Sequence, residues 1–243
     1  MTSPRLVLLH GVGLDQTMWQ PFLAALPPGI AVWAPDLPGH GANPIVPLPA
    51  TLADLAAPVI DRLLPGDHLV GFSLGALVAQ HIARYHPALA GTLTSVSSVC
   101  QRTQAERESV LRRLEGAEQD FPASVAASLD RWYGGTSVSA DLIARTRATL
   151  LANDIESYLG CYRVFATADA EIGPELGRIT APALAITGEL DPGSTPEMSR
   201  RLARAIPRCR AVVVPGARHM LPVQTPQAVA DAVTALLGEN THA

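Results

Sequence analysis

The sequence predicts an α/β fold: a mostly parallel, doubly wound sheet with a helical insertion. Three observations lead there. Short apolar runs alternate with longer amphipathic ones through residues 1–100. Such a β-α-β-α rhythm places parallel strands in one sheet, with helices on both faces joined by right-handed crossovers. The rhythm breaks after Cys100, where residues 101–170 carry helical patterns and no convincing strand, and it returns in 171–243. The expected organisation is a core domain from 1–100 and 171–243, with a helical cap, 101–170, set into it.

The elements follow in order. Arg5 to His10 is a buried-strand pattern, and Gln16 to Leu26 has helical spacing that Pro27-Pro28-Gly29 stops. Ile30 to Ala34 is strand-like, and the stretch from Asp36 to Pro49 is a loop rich in Pro and Gly. Thr51 caps a helix expected to run to about Leu64, which Pro65-Gly66 ends. Leu69 to Phe72 is a strand, Ala76 to Tyr85 a helix, and Leu93 to Val99 a strand. In the insertion the spacing predicts helices over Gln104 to Glu115, Ala123 to Trp132, Asp141 to Leu151 and Ile155 to Ala166. Strands over Ala183 to Thr187 and Ala211 to Val214, and helices over Glu197 to Ile206 and Gln227 to Leu237, complete the chain.

Composition narrows the function. The 243 residues are 48% hydrophobic and 16% charged, enough for a sizeable core and against disorder. A net charge of −4 gives no reason to expect nucleic acid or an anionic membrane surface, and 5% aromatics give little for base stacking. Cys100, Cys161 and Cys209 are sparse, odd in number and outside any CxxC pair, which points to free thiols and a reducing compartment. No histidine cluster has metal-ligand spacing, so no metal is expected. The N-terminus reads directly into a short strand with no leader pattern, and no apolar run approaches the ~20 residues of a membrane span. A cytoplasmic protein with a small-molecule substrate is the expectation.

The chemistry centres on Gly71-Phe72-Ser73-Leu74-Gly75, a G-x-S-x-G between a predicted strand and a predicted helix. A serine on so sharp a turn is held out at the end of the sheet, and the glycines let neighbouring segments approach. A serine hydroxyl needs a base, and the base needs an orienting acid. Asp191, in Gly188-Glu189-Leu190-Asp191-Pro192-Gly193, and His219, in Pro215-Gly216-Ala217-Arg218-His219, each follow a predicted strand. Ligands in open α/β sheets bind at the carboxyl ends of strands, and the chain order Ser, Asp, His suits a nucleophile elbow. His219 is expected to take the Ser73 proton, and Asp191 to hold the imidazole in one tautomer. The backbone N–H groups of Val12, in His10-Gly11-Val12-Gly13, and of Leu74 are the expected oxyanion donors.

Each residue alone has a plainer reading. Asp191 suits a turn before Pro192, Glu189 is a rival acid, and His219 suits a solvated loop. His40 is read as a brace for its own loop, and His68, His81 and His86 as surface residues of helices or strands.

With these motifs in place, the chain resembles the α/β-hydrolase superfamily over nearly its whole length. The resemblance rests on His10 to Gly13, Pro35 to Gly41, Gly71 to Gly75, Gly188 to Asp191 and Pro215 to His219. Within the superfamily it is most similar to 3-oxoadipate enol-lactonases, through Asp130-Arg131-Trp132-Tyr133, Tyr158 to Tyr162, Arg178 to Leu184 and Asp191 to Pro196. The resemblance implies a cofactor-free serine hydrolase, a monomer or homodimer, acting on a small lactone or ester through an acyl-serine. Carbon–carbon hydrolysis of a ring-fission product, or ligand binding by an idle triad, stand as alternatives. The insertion would be a lid, with Trp132 either contacting substrate or packing between helices. Two departures stand out. The family usually opens with two further antiparallel strands, so a truncated sheet of about six strands with an edge to be covered or paired is expected. Enol-lactonases also carry an Arg-Asp pair in the last cap helix, where this chain reads Ala166-Thr167-Ala168-Asp169; Arg131 and Arg163 are the candidates to replace that arginine.

Overall fold

The computed structural model describes residues 5–43 and 48–241. One all-parallel sheet has the order β2-β1-β3-β4-β5-β6. Its strands are β1 (Arg5–Leu9), β2 (Ala31–Trp33), β3 (Asp67–Phe72), β4 (Ala90–Val96), β5 (Ala183–Gly188) and β6 (Cys209–Val214). The four residues Leu6 to Leu9 have no exposed surface, as expected for a central parallel strand covered on both faces. β4 starts and stops three residues earlier than the spacing predicts. Ser97 ends it by turning to φ 47°, a conformation no strand residue adopts.

The helices of the core are α1 (Gln20–Ala25), α2 (Leu52–Ile60), α3 (Leu74–Tyr85), α8 (Pro196–Ala205), α9 (Leu221–Gln224) and α10 (Pro226–Thr241). α1 packs on α10, and α2 packs on α3. The helix expected from Gln16 divides in two: Asp15 caps a 3-10 turn over Gln16–Trp19, and Pro21 lies in the first turn of α1. Thr51 and Asp54 form a reciprocal capping box at the start of α2. α2 ends at Ile60 rather than Leu64, and tight turns closed by Arg62 and Leu63 N–H groups carry the chain on. Part of the loop expected up to Pro49, residues 44–47, lies outside the described residues.

Between β4 and β5 come α4 (Gln104–Gln119), α5 (Phe121–Tyr133), α6 (Ala140–Leu151) and α7 (Ile155–Ile172). Each starts on a side-chain cap, from Thr103, Asp120, Ser139 and Asp154. α4 runs past Gly116, and α7 runs on to the Gly173-Pro174 stop, so both exceed their expected lengths. Helix α7 packs on both α4 and α3, which lays the insertion against the core.

The edge strand β2 has only three residues, and its Trp33 ring lies between the guanidiniums of Arg5 and Arg62, at 5.1 and 5.0 Å. A short edge flanked by charge resists pairing with another chain. No helix is long and apolar enough to cross a membrane among the described residues.

Candidate active site

The turn from β3 into α3 carries Ser73 at φ 53° and ψ −110°, a positive φ that residues with side chains rarely adopt. Close approach forces the flanking glycines. A Cβ on Gly71 would lie 2.2 Å from the Gly75 carbonyl oxygen, and one on Gly75 would lie 2.1 Å from that of Leu9. The Ser73 N–H donates to Val96 O at 3.0 Å and the Gly75 N–H to His10 O at 3.1 Å, so the turn is tied to both neighbouring strands. Between them, the Leu74 N–H is left without an acceptor among the described residues, and so is that of Val12.

Asp191 follows β5 and is 3% exposed; His219 follows β6 and is 6% exposed. The His219 Nδ1–H donates to Asp191 Oδ2 at 2.7 Å. A carboxylate only accepts, so Nδ1 carries the hydrogen and Nε2 is left as an acceptor. Asp191 Oδ1 accepts the N–H groups of Gly193 and Ser194, both at 2.9 Å. The Leu190 N–H donates to Ala217 O at 2.8 Å, binding the acid's loop to the base's loop. Ser97, which ends β4, donates its hydroxyl to His219 O at 2.8 Å. The rings of Phe72 and Trp132 lie 5.0 and 5.6 Å from the imidazole, the latter stacked on it. Glu189 is exposed and accepts the Gly216 N–H, so it does not compete for the imidazole.

Ser73, Asp191, His219, Val12 and Trp132 all line one cavity of about 580 Å³, mouth included. Strand ends make its floor. Helices α4, α5 and α7 make its roof with Arg113, Ser128, Arg131, Trp132, Tyr158, Tyr162 and Phe165. Leu74 follows Ser73 at the floor and is itself fully buried. Of the aromatic roof, sequence reasoning singled out Trp132 as a pocket residue but not Tyr158, Tyr162 and Phe165, although these recur at helical spacing on one face of α7. It also missed Arg113, since nothing local distinguishes it from the exposed Arg112 beside it. Of the arginines considered in place of the missing one, Arg131 lines the cavity, and Arg163 pairs with Glu118 at 2.5 Å, largely exposed.

Beneath the floor, His10 Nε2 accepts the Leu37 N–H at 2.8 Å, while His10 Nδ1 meets Gly11 O at 2.8 Å. His40 Nδ1 lies 3.0 Å from Pro38 O, and its ring meets that of His10 edge-on at 4.9 Å. His40 thus braces its own loop. Burial lowers His10 to about 4; burial and then the neighbouring His10 lower His40 to about 3. Both rings are neutral supports for the segment that carries Val12. No group of metal-ligating side chains is found among the described residues.

Comparison with known proteins agrees with this architecture. The model of the Alpha/beta hydrolase family matches residues 6–232. The (E)-2-((N-methylformamido)methylene)succinate hydrolase of Acinetobacter baylyi is 30% identical over 96% of this chain and 89% of its own length. The 3-oxoadipate enol-lactonase 2 of the same organism is 27% identical over 96% of this chain and 88% of its own. The crystal structure of the enol-lactonase from Burkholderia xenovorans LB400 superposes with a TM-score of 0.85 at 26% identity, covering 98% of this chain and 92% of that one. With its parallel sheet, its serine turn and a family match across nearly all of its length, the chain belongs to the alpha/beta hydrolase family.

Proposed function

We propose that the protein is a serine hydrolase that cleaves small lactones or carboxylic esters through an acyl-Ser73 intermediate. The observation that carries this reading is an imidazole fixed by Asp191 in the cavity that also holds Ser73. His219 Nε2 takes the proton as Ser73 Oγ attacks the carbonyl carbon. The carbonyl oxygen becomes an oxyanion and is received by the Val12 and Leu74 N–H groups. The C–O bond to the leaving oxygen then breaks, and that oxygen receives the proton from His219. Water then gives a proton to His219 as its oxygen attacks the acyl carbon; the bond to Ser73 Oγ breaks, Oγ takes the proton back from His219, and the acid leaves. Removing one oxyanion donor from a site of this kind costs roughly 3–4 kcal/mol of barrier.

The insertion, 101–170, acts in this reading as a lid that shapes an apolar pocket and keeps bulk water from it. Trp132, stacked on His219, is positioned to contact the acyl or leaving group while shielding the base. The relative named as an enol-lactonase supports a lactone or ester bond as the target.

The test is Ser73→Ala measured on a panel of lactones and short esters. Turnover should fall by about 10⁵-fold or more with folding retained, and a fluorophosphonate should modify the wild type once, at Ser73. Wild-type turnover by the alanine variant would discard the proposal.

A further inference from the structure

Leu14 stands where two hollows meet. It follows Val12 by two residues, lines the Ser73 cavity and is 3% exposed. On its other side lies a cleft of about 930 Å³, mouth included, against about 580 Å³ for the cavity. Helix α6 forms one bank of the cleft; the Gln16–Trp19 turn, α1 and α9 form the other. Among the described residues, Leu14 is the one that lines both hollows. The cleft offers apolar surface to a guest: Met18, Pro21, Leu142 and Val223 line it, the last three only half-buried.

The backbone that carries Leu14 is pinned. Its own N–H donates to Gly11 O at 3.2 Å. Gly13 O accepts Asn153 Nδ2 at 2.8 Å, from the link between α6 and α7. Gly13 has φ 71°, and a Cβ there would lie 2.6 Å from the Tyr158 ring and 2.8 Å from Leu150. The partition is therefore the Leu14 side chain, on a loop with no room to shift toward the insertion. The cleft also adjoins the base's side of the cavity. Helix α9 begins two residues after His219, and its Val223 lines the cleft. In the proposed reaction His219 gives its proton to the leaving oxygen. A chain on that oxygen points toward the side built by the segment after His219, and the acyl chain points away from it. A third hollow beyond Leu14 is lined by Asp15, Asn43, Asn153 and Asp154, groups that favour water over an alkyl chain.

We infer that Leu14 determines specificity for the leaving group: its side chain closes the Ser73 cavity toward the cleft beside α6 and confines the alcohol half of the substrate to a short chain. In a lactone the confined part is the substituent on the carbon that bears the ring oxygen. This inference rests on the proposed esterase or lactonase reading. Shortening Leu14 to alanine removes three carbons from the partition, and the pinned loop does not follow them. Cavity and cleft then join, and each methylene that enters the apolar cleft raises kcat/KM by about 4-fold.

The experiment compares hexyl acetate with ethyl hexanoate, isomers that carry the longer chain on opposite sides of the carbonyl, with ethyl acetate as the parent. The wild type should cleave hexyl acetate no faster than ethyl acetate in kcat/KM. Leu14→Ala should raise the ratio of hexyl acetate to ethyl hexanoate by at least about 10-fold, as roughly two methylenes enter the cleft. Leu14→Val, a milder change to the core, should raise it less and in the same direction. Adding Leu142→Trp to Leu14→Ala should fill the cleft and cancel the gain. A general loosening of the site would move the two isomers together and leave their ratio in place. A wild type that already favours hexyl acetate over ethyl acetate by about 10-fold, an unaltered ratio in both folded Leu14 variants, a gain for ethyl hexanoate instead, or a gain that survives Leu142→Trp would each overturn the assignment. If the wild type cleaves none of these esters, the hydrolase reading fails on its own, and calorimetry with 1-hexanol decides the partition. Binding about 10-fold tighter to Leu14→Ala than to the wild type, and lost again with Leu142→Trp, supports it; equal binding, or none to either, overturns it.

Discussion

Ser73 shows what a single residue carries at this site. Its φ of 53° and ψ of −110° cost on the order of 1–3 kcal/mol, held by the bonds to Val96 and by the close approach of Gly75 to Leu9. Glycine adopts such a conformation freely, and alanine does not. We expect Ser73→Gly to be more stable than Ser73→Ala by roughly 1 kcal/mol, the reverse of the usual order inside a helix or strand. Urea denaturation of the two variants checks this, and equal midpoints would show that the turn is unstrained. This residue was legible in the sequence because its geometry is local: five consecutive residues specify the turn. Asp191 and His219 were legible through turn chemistry just after a strand. Arg131 entered as a candidate through the resemblance alone, and Arg113 was not legible, because which face of α4 overlooks the cavity is decided by helix crossings that no short stretch encodes.

Among the elements, strands were read more surely than helix ends. A continuous apolar run such as Leu6 to Leu9, too short for a helix and followed by Gly11, reads as a strand covered on both faces. Helix ends depend on stop signals of unequal strength: Gly116 does not stop α4, whereas Gly173-Pro174 stops α7. The join between insertion and core rests on Asp169, near the end of α7. Its carboxylate accepts both the backbone N–H of Arg102, at 2.8 Å, and the guanidinium, at 2.5 Å, and the paired side chains are each only 1% exposed. The guanidinium also lies 4.8 Å from the centre of the Phe165 ring, which lines the cavity. Arg102→Met should cost roughly 3–5 kcal/mol by stranding the carboxylate, while adding Asp169→Leu should recover much of that loss. A double-mutant cycle in urea reads the coupling, and additive single effects would show that the pair is not a unit. Asp169 of the family's expected Arg-Asp pair is therefore used for architecture here.

At the scale of the whole molecule, the buried histidines tie stability to pH. His10 and His40 bind protons in the unfolded chain near the ordinary 6.5, but in the fold only near 4 and 3. Between those values the unfolded chain holds more protons, so stability falls as pH falls. For His10 alone, pH 6.5 down to about 4 removes roughly 3 kcal/mol, and below that the loss levels off. Denaturation midpoints at pH 7, 5.5 and 4.5 should decline along this path, and more shallowly in His40→Gln; parallel curves for the two proteins would count against the histidines. The parallel sheet and its interruption were legible across the chain, since alternation of patterns is a global signal. The shape of the cavity was not, because three helices meeting over the ends of four strands create it jointly.

The Arg102–Asp169 contact has a wider bearing. It fastens the beginning of the roof-forming stretch to its end, between the neighbouring strands β4 and β5 in chain order. A stretch closed at its own base resembles a cassette with a clasp. Its interior can diverge, or be transplanted from a relative, while Ser73, Asp191 and His219 below stay where they are. New specificities in this scaffold are thus reachable by rewriting the chain between that clasp's two halves.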